Sequence, residues 1–170
     1  AIRQVKTYEL KLAMHRGQYA DAKTFVEGAL KDDETVEVIY NNDGGDNPLY
    51  SAIGPNSRDV QVSPSLEAAR TTDAEKKALP LAHARVDKKN PNRYNIYASG
   101  LTRKGSIIIS NDDDIHLIKA ELIVRGVMTG DAMTEVNKVI GKYDTASQLS
   151  TAPTLAQIAE LRRIFLAFRG

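Results

Sequence analysis

Asp112, Asp113 and Asp114 stand in a row ahead of an apolar run, and three adjacent carboxylates could hold a cation. The same residues also suit the start of a helix, where exposed N–H groups and the dipole favour negative charge. That second reading is the expectation. His15, His83 and His116 could serve as bases or metal ligands, but they lie far apart and none stands in a ligand spacing, so they read as structural. The run Asn41-Asn42-Asp43-Gly44-Gly45-Asp46-Asn47 lacks the alternating oxygen ligands of a calcium loop and reads as a turn. There is no cysteine, no phosphate-binding GxxxxGK[ST] loop, no GxSxG elbow and no HExxH helix. The expectation is therefore a protein with no catalytic residue, metal or cofactor, and not an enzyme.

What remains is chemistry suited to gripping. Residues 82–88 and 93–99 alternate and are joined by Lys89-Asn90-Pro91-Asn92, a compact hairpin turn. Simple alternation places His83, Arg85, Asp87, Arg93, Asn95 and Tyr97 on one face, and Ala84, Val86, Tyr94, Ile96 and Ala98 on a core-facing one. Arg85, Arg93, Asn95 and Tyr97 combine cations, an amide and an aromatic ring. Such groups hold single-stranded or looped RNA by phosphates, base edges and stacking. A plain solvated sheet face would carry the same residues.

The elements that must position them follow from periodicity. Val5–Met14 alternates and reads as a strand, broken at Arg16-Gly17-Gln18. Residues 20–30 are ambiguous, because Gly28 weakens a helix there. Thr35–Tyr40 reads as a strand; Pro48 forces an extended restart, with short strands at Leu49–Ile53 and Asp59–Val62. Ser65–Leu79 is the longest polar stretch and reads as a surface excursion with partial helix, capped by Ser65. Leu101–Ser110 adds a strand beside the hairpin. Helices are expected from Asp112 to near Gly130, over Ala132–Tyr143, and over Leu155–Phe168 behind a Thr154/Gln157 capping box. Strands first and helices last make an α+β chain: an antiparallel sheet with an N-terminal hairpin, then C-terminal helices. Residues 1–170 read as one domain, with 1–110 mainly strands and 112–168 mainly helices.

At 170 residues with 42% hydrophobic and 26% charged content, the chain is long enough for a packed core. Its 23 Lys+Arg against 22 Asp+Glu exclude the strongly basic signature of a stand-alone nucleic-acid-binding domain. They leave open weak contacts multiplied by assembly. No run is long enough for a membrane span, and the first residues lack a signal peptide's apolar core. Ala1 reads as a start after loss of Met, with production in the cytosol.

The helix after Asp112 is apolar on two sides. Ile115, Ile118 and Leu122 fall on one; Ala120, Ile123, Val124 and Val127 fall on another. The second side must meet the C-terminal helices or a partner subunit. Ile115, Ile118, Leu122, Ile123 and Val127 are accordingly the expected dimer interface.

The hairpin NRYNIYASG, a last strand, the acidic-capped helix DDDIHLIKAELIVRGVMTGD and a second helix together resemble the coat proteins of single-stranded RNA bacteriophages. The resemblance covers roughly Ala82 to Val139. It implies a five-stranded sheet with helices over the partner's sheet, an interlocked dimer, and assembly of copies into an icosahedral shell around genomic RNA. It also implies location in the virion after synthesis in the host cytoplasm, with no membrane partner, and places Arg85, Arg93, Asn95 and Tyr97 among the RNA-facing positions. The chain departs from the family in its length, in the Ser65–Leu79 stretch and in the last helix. Other readings are a phage or virus structural subunit without specific RNA recognition, or a small α+β binding module.

Overall fold

The computed structural model describes residues 2–40, 46–54, 62–85 and 94–169. Within them the chain is a mixed α+β fold whose first element is a helix. α1 (Ile2–His15) and α2 (Tyr19–Val26) form a helical hairpin where a β-hairpin was expected. The alternation in Val5–Met14 has a helical cause. Leu10 and Met14 are buried, whereas Tyr8 and Leu12 are exposed, so two interleaved i,i+4 pairs on opposite sides of one helix imitate a period of two. α1 stops at Gly17, whose φ of +70° suits glycine, and Gln18 N–H reaches back to Ala13 O at 2.9 Å, a Schellman closure.

β1 (Thr35–Val38) follows as expected. Leu49–Ile53, expected to be a strand, lies instead in α3 (Pro48–Ile53). Asn47 Oδ1 accepts from the N–H groups of Leu49 and Tyr50, and Pro48 occupies the first helical position, where its missing N–H costs nothing. Of the strand expected at 59–62, only Val62 is described; it is buried, and its N–H donates to Ile96 O at 2.8 Å.

The polar stretch after Pro64 is mostly exposed or half-buried and partly helical, as expected, but its later residues are seated on the core. It forms α4 (Pro64–Ala69), capped by Ser63 rather than Ser65, and α5 (Asp73–Ala78), capped by Thr72 in a capping box with Glu75. The adjacent threonines, read as an interruption, separate one short helix from the next. Ala74 and Leu79 are fully or nearly fully buried under the C-terminal helices.

β2 (Leu81–Arg85) and β3 (Tyr94–Ala98) pair antiparallel, and β4 (Ile107–Asn111) pairs with β1. Among the described residues these are two separate two-stranded sheets, so residues up to 110 are more helical than the expected strand-rich half. α6 (Asp112–Val124), α7 (Ala132–Tyr143) and α8 (Leu155–Phe165) complete the chain; the capping box of Thr154 with Gln157 is present.

α6 is central. Ile115, Ile118 and Leu122 are at most 1% exposed and pack with Leu10, Ala22 and Val26 of the N-terminal hairpin. Leu117 and Ala120, both fully buried, pack with Val136, Ile158, Ile164 and Phe165. Burial of each large side chain contributes about 1.5–3 kcal/mol. Apart from Val124 at its end, which stays exposed, both sides of α6 are thus covered within the chain, which removes the reason for assigning Ile115, Ile118 and Leu122 to a dimer interface. Ile123 packs partly buried on the second cluster. Val127 lies beyond the helix, which ends at Gly126 (φ +72°) rather than near Gly130; Val127 N–H closes onto Leu122 O, and its side chain packs on the first cluster.

Candidate functional site

The three aspartates do more than begin a helix: Asp112, Asp113 and Asp114 are all at most 3% exposed. Asp113 accepts from Arg169 Nη1 and Lys142 Nζ, both at 2.9 Å, and from Asn111 Nδ2 at 3.0 Å; Tyr143 Oη lies at 3.3 Å. Burial alone would raise the Asp113 carboxyl, but the bonds from Arg169, Lys142 and Asn111 hold it below the usual range. Asp112 takes Lys142 at 2.6 Å and the backbone N–H of Asp33 at 2.7 Å. Asp114 takes Ser110 Oγ at 2.8 Å and Lys11 at 3.6 Å. The carboxylates therefore tie the N-terminal hairpin to α7 and the C-terminus. Among the described residues no group of three or more His, Cys, Asp or Glu could hold a metal ion.

One turn further on, His116 is 2% exposed. Its Nδ1 lies 2.6 Å from Glu135 Oε2 and its Nε2 3.3 Å from Asp32 Oδ1. Burial pushes Glu135 up, but the hydrogen bond and charge of His116, with Lys119 and Lys138 nearby, outweigh it and hold the carboxyl at about 2. A carboxyl depressed in the folded state stabilises above its unfolded value, and that contribution is lost as pH falls through the folded value. Stability should thus decline between about 4.5 and about 2. Glu135→Gln should flatten this acid limb, removing on the order of 2 kcal/mol of its pH dependence, as measured by urea melts across that range. An unchanged limb would assign the acid sensitivity elsewhere.

A cleft of about 340 Å³ lies between α5, the ends of β3 and β4, and the C-terminal residues Phe168 and Arg169. Its walls include Leu79, Pro80, Ala98 and Ile107, and its cations Lys77 and Arg169 are engaged by Asp144 and Asp113.

Of the positions expected to bind RNA, the β2–β3 register sets 85 apart from 95 and 97. The β2–β3 register pairs His83 with Ile96, Ala84 with Asn95 and Arg85 with Tyr94. Odd positions of β2 thus face even positions of β3, one residue out of step with simple alternation, and such a step exchanges the faces. By register position 85 belongs to the face of Ile96 and Ala98, which are buried; positions 95 and 97 belong to the other, where Tyr97 is half-buried. Arg93 lies outside the described residues, as do Asp87 and the expected turn at 89–92.

Alternation concealed a different surface. α1 exposes Ile2 at 79%, Val5 at 55%, Tyr8 at 44% and Leu12 at 49%, a stripe along the side opposite Leu10 and Met14. An open groove at its first turn is bounded by Ile2, Arg3, Leu30, Glu34 and Val36. Val38 and Ile39 are also exposed, at 43% and 70%. Reading the segment at helical rather than strand spacing would have revealed the stripe.

The chain matches no protein family, no curated protein and no solved structure. No helix among the described residues is long and apolar enough to cross a membrane.

Proposed function

We propose that the chain is a non-catalytic association module that docks on a second copy of itself through the outer face of α1. The observation carrying this reading is the stripe of Ile2, Val5, Tyr8 and Leu12 on a helix whose opposite side is already seated. Contiguous exposed apolar area of this kind marks contact surfaces. The potentially reactive groups fit the same reading, since the carboxylates of the α6 N-terminus and His116 are engaged in holding elements together.

The double substitution Val5→Glu/Leu12→Glu should leave the fold intact, because neither side chain belongs to the buried clusters. It should abolish concentration-dependent association in sedimentation velocity and most binding of an apolar dye. A wild-type chain that stays monomeric at high concentration and binds no dye would overturn the reading.

A second reading is a coat subunit closing into an RNA-filled shell. It is favoured by positions 95 and 97, an amide and an aromatic two residues apart on one face of β3. Electron microscopy of the purified protein separates the two: uniform closed particles with nuclease-protected RNA support the coat subunit, and small oligomers support the simpler module.

A further inference from the structure

The α2–β1 connection is fastened to α6 and α1 by groups of unlike chemistry. Asp33, at φ +65°, donates its N–H to Asp112. Glu34 ion-pairs with Arg3 and accepts the Lys31 N–H at 2.8 Å, while its own N–H donates to Lys31 O at 3.1 Å. Asp32 reaches Nε2 of the buried His116, whose Nδ1 is held by Glu135. Lys119 on α6 and Lys138 on α7 are the other charged groups beside that pair. From this arrangement we infer that His116 is a proton-operated clasp: the charged imidazole fastens the 31–34 loop through Asp32, and the neutral imidazole releases it.

The reason is the donor count. An imidazolium has two N–H donors and can serve both carboxylates, whereas a neutral imidazole has one donor and one lone pair. The Glu135 contact is shorter and its carboxylate is 17% exposed, against 68% for Asp32, so the remaining N–H stays on Nδ1. Nε2 then turns a lone pair toward a carboxylate oxygen, and Asp32 swings into water. The loop keeps its other anchors, but they are carboxylates, an arginine and backbone groups. Of the side chains that fasten the loop, the imidazole is the one that offers both a one-donor and a two-donor form. The clasp is independent of what docks on α1.

The test is rapid-mixing hydrogen exchange on the full chain at pH 6 and pH 8.5, reading the Asp33 and Glu34 amides. Rates are corrected for intrinsic exchange, with α8 amides as the internal reference. Because Asp32 is largely exposed, protection should fall by only about two- to fivefold on going to the higher pH. Asp32→Asn should remove this pH dependence, since an amide can accept from or donate to either form of the ring. His116→Gln should do the same. Should His116→Gln fail to fold, the exposed Asp32→Asn decides alone. Protection that is flat with pH in the wild type, or a fall that persists in Asp32→Asn, would overturn the proposal.

Discussion

Asp113→Ala is expected to lower the unfolding free energy by about 3–5 kcal/mol, read as a fall in urea midpoint with the slope preserved. The deletion strands one cation and loosens another: Arg169, whose side chain is 11% exposed, loses its carboxylate, and Lys142 keeps only Asp112. Asn111 and Tyr143 lose a common partner as well. The loss arises from burial left uncompensated more than from the worth of the pairs. A second substitution, Arg169→Met, should therefore recover part of it, and a double-mutant cycle should show strong coupling. A loss under about 1 kcal/mol, ordinary for exposed ion pairs, would mean that water reaches Asp113.

Ile118→Ala is expected to cost about 2–5 kcal/mol, the range for emptying a filled core site. Ile118 is fully buried and packs with residues of the N-terminal hairpin in the same chain. In the Val5→Glu/Leu12→Glu background, where association through α1 is removed, the transition midpoint should therefore be independent of protein concentration both with and without Ile118→Ala. A midpoint that rises with concentration, with the defect partly restored in concentrated solution, would mean that a second copy fills this side of α6.

Much of the C-terminal half was legible because its signals are local. The capping box at Thr154, the 3.6-residue spacing in α7 and the strand feeding Asp112 each lie within a few residues of their cause. The two apolar sides of α6 were legible too; what covers the first was not, because Leu10 and Val26 are distant in sequence and the helix that carries Leu10 was read as a strand. The same misreading hid the stripe of Ile2, Val5, Tyr8 and Leu12, since a helix apolar on both sides loses the one-sided pattern that marks helices. Strands β2 and β3 were legible over their described residues, yet the register is one residue out of step, enough to put position 85 on the other face from positions 95 and 97. The aspartates were recognised as helix-starting residues. Their partners Lys11, Lys142 and Arg169 come from elements that no local pattern connects.

Sharing α6 between two apolar clusters has a consequence for how the molecule fails. Ile118 and Leu122 belong to one cluster, Leu117 and Ala120 to the other, so anything that loosens this helix removes support from both at once. Heat or denaturant then finds no weaker half to dissolve first, and the molecule should melt in a single step. A peptide ending before Asp112 would lack the surface on which the N-terminal hairpin rests. Damage at either end travels inward to the same thirteen residues.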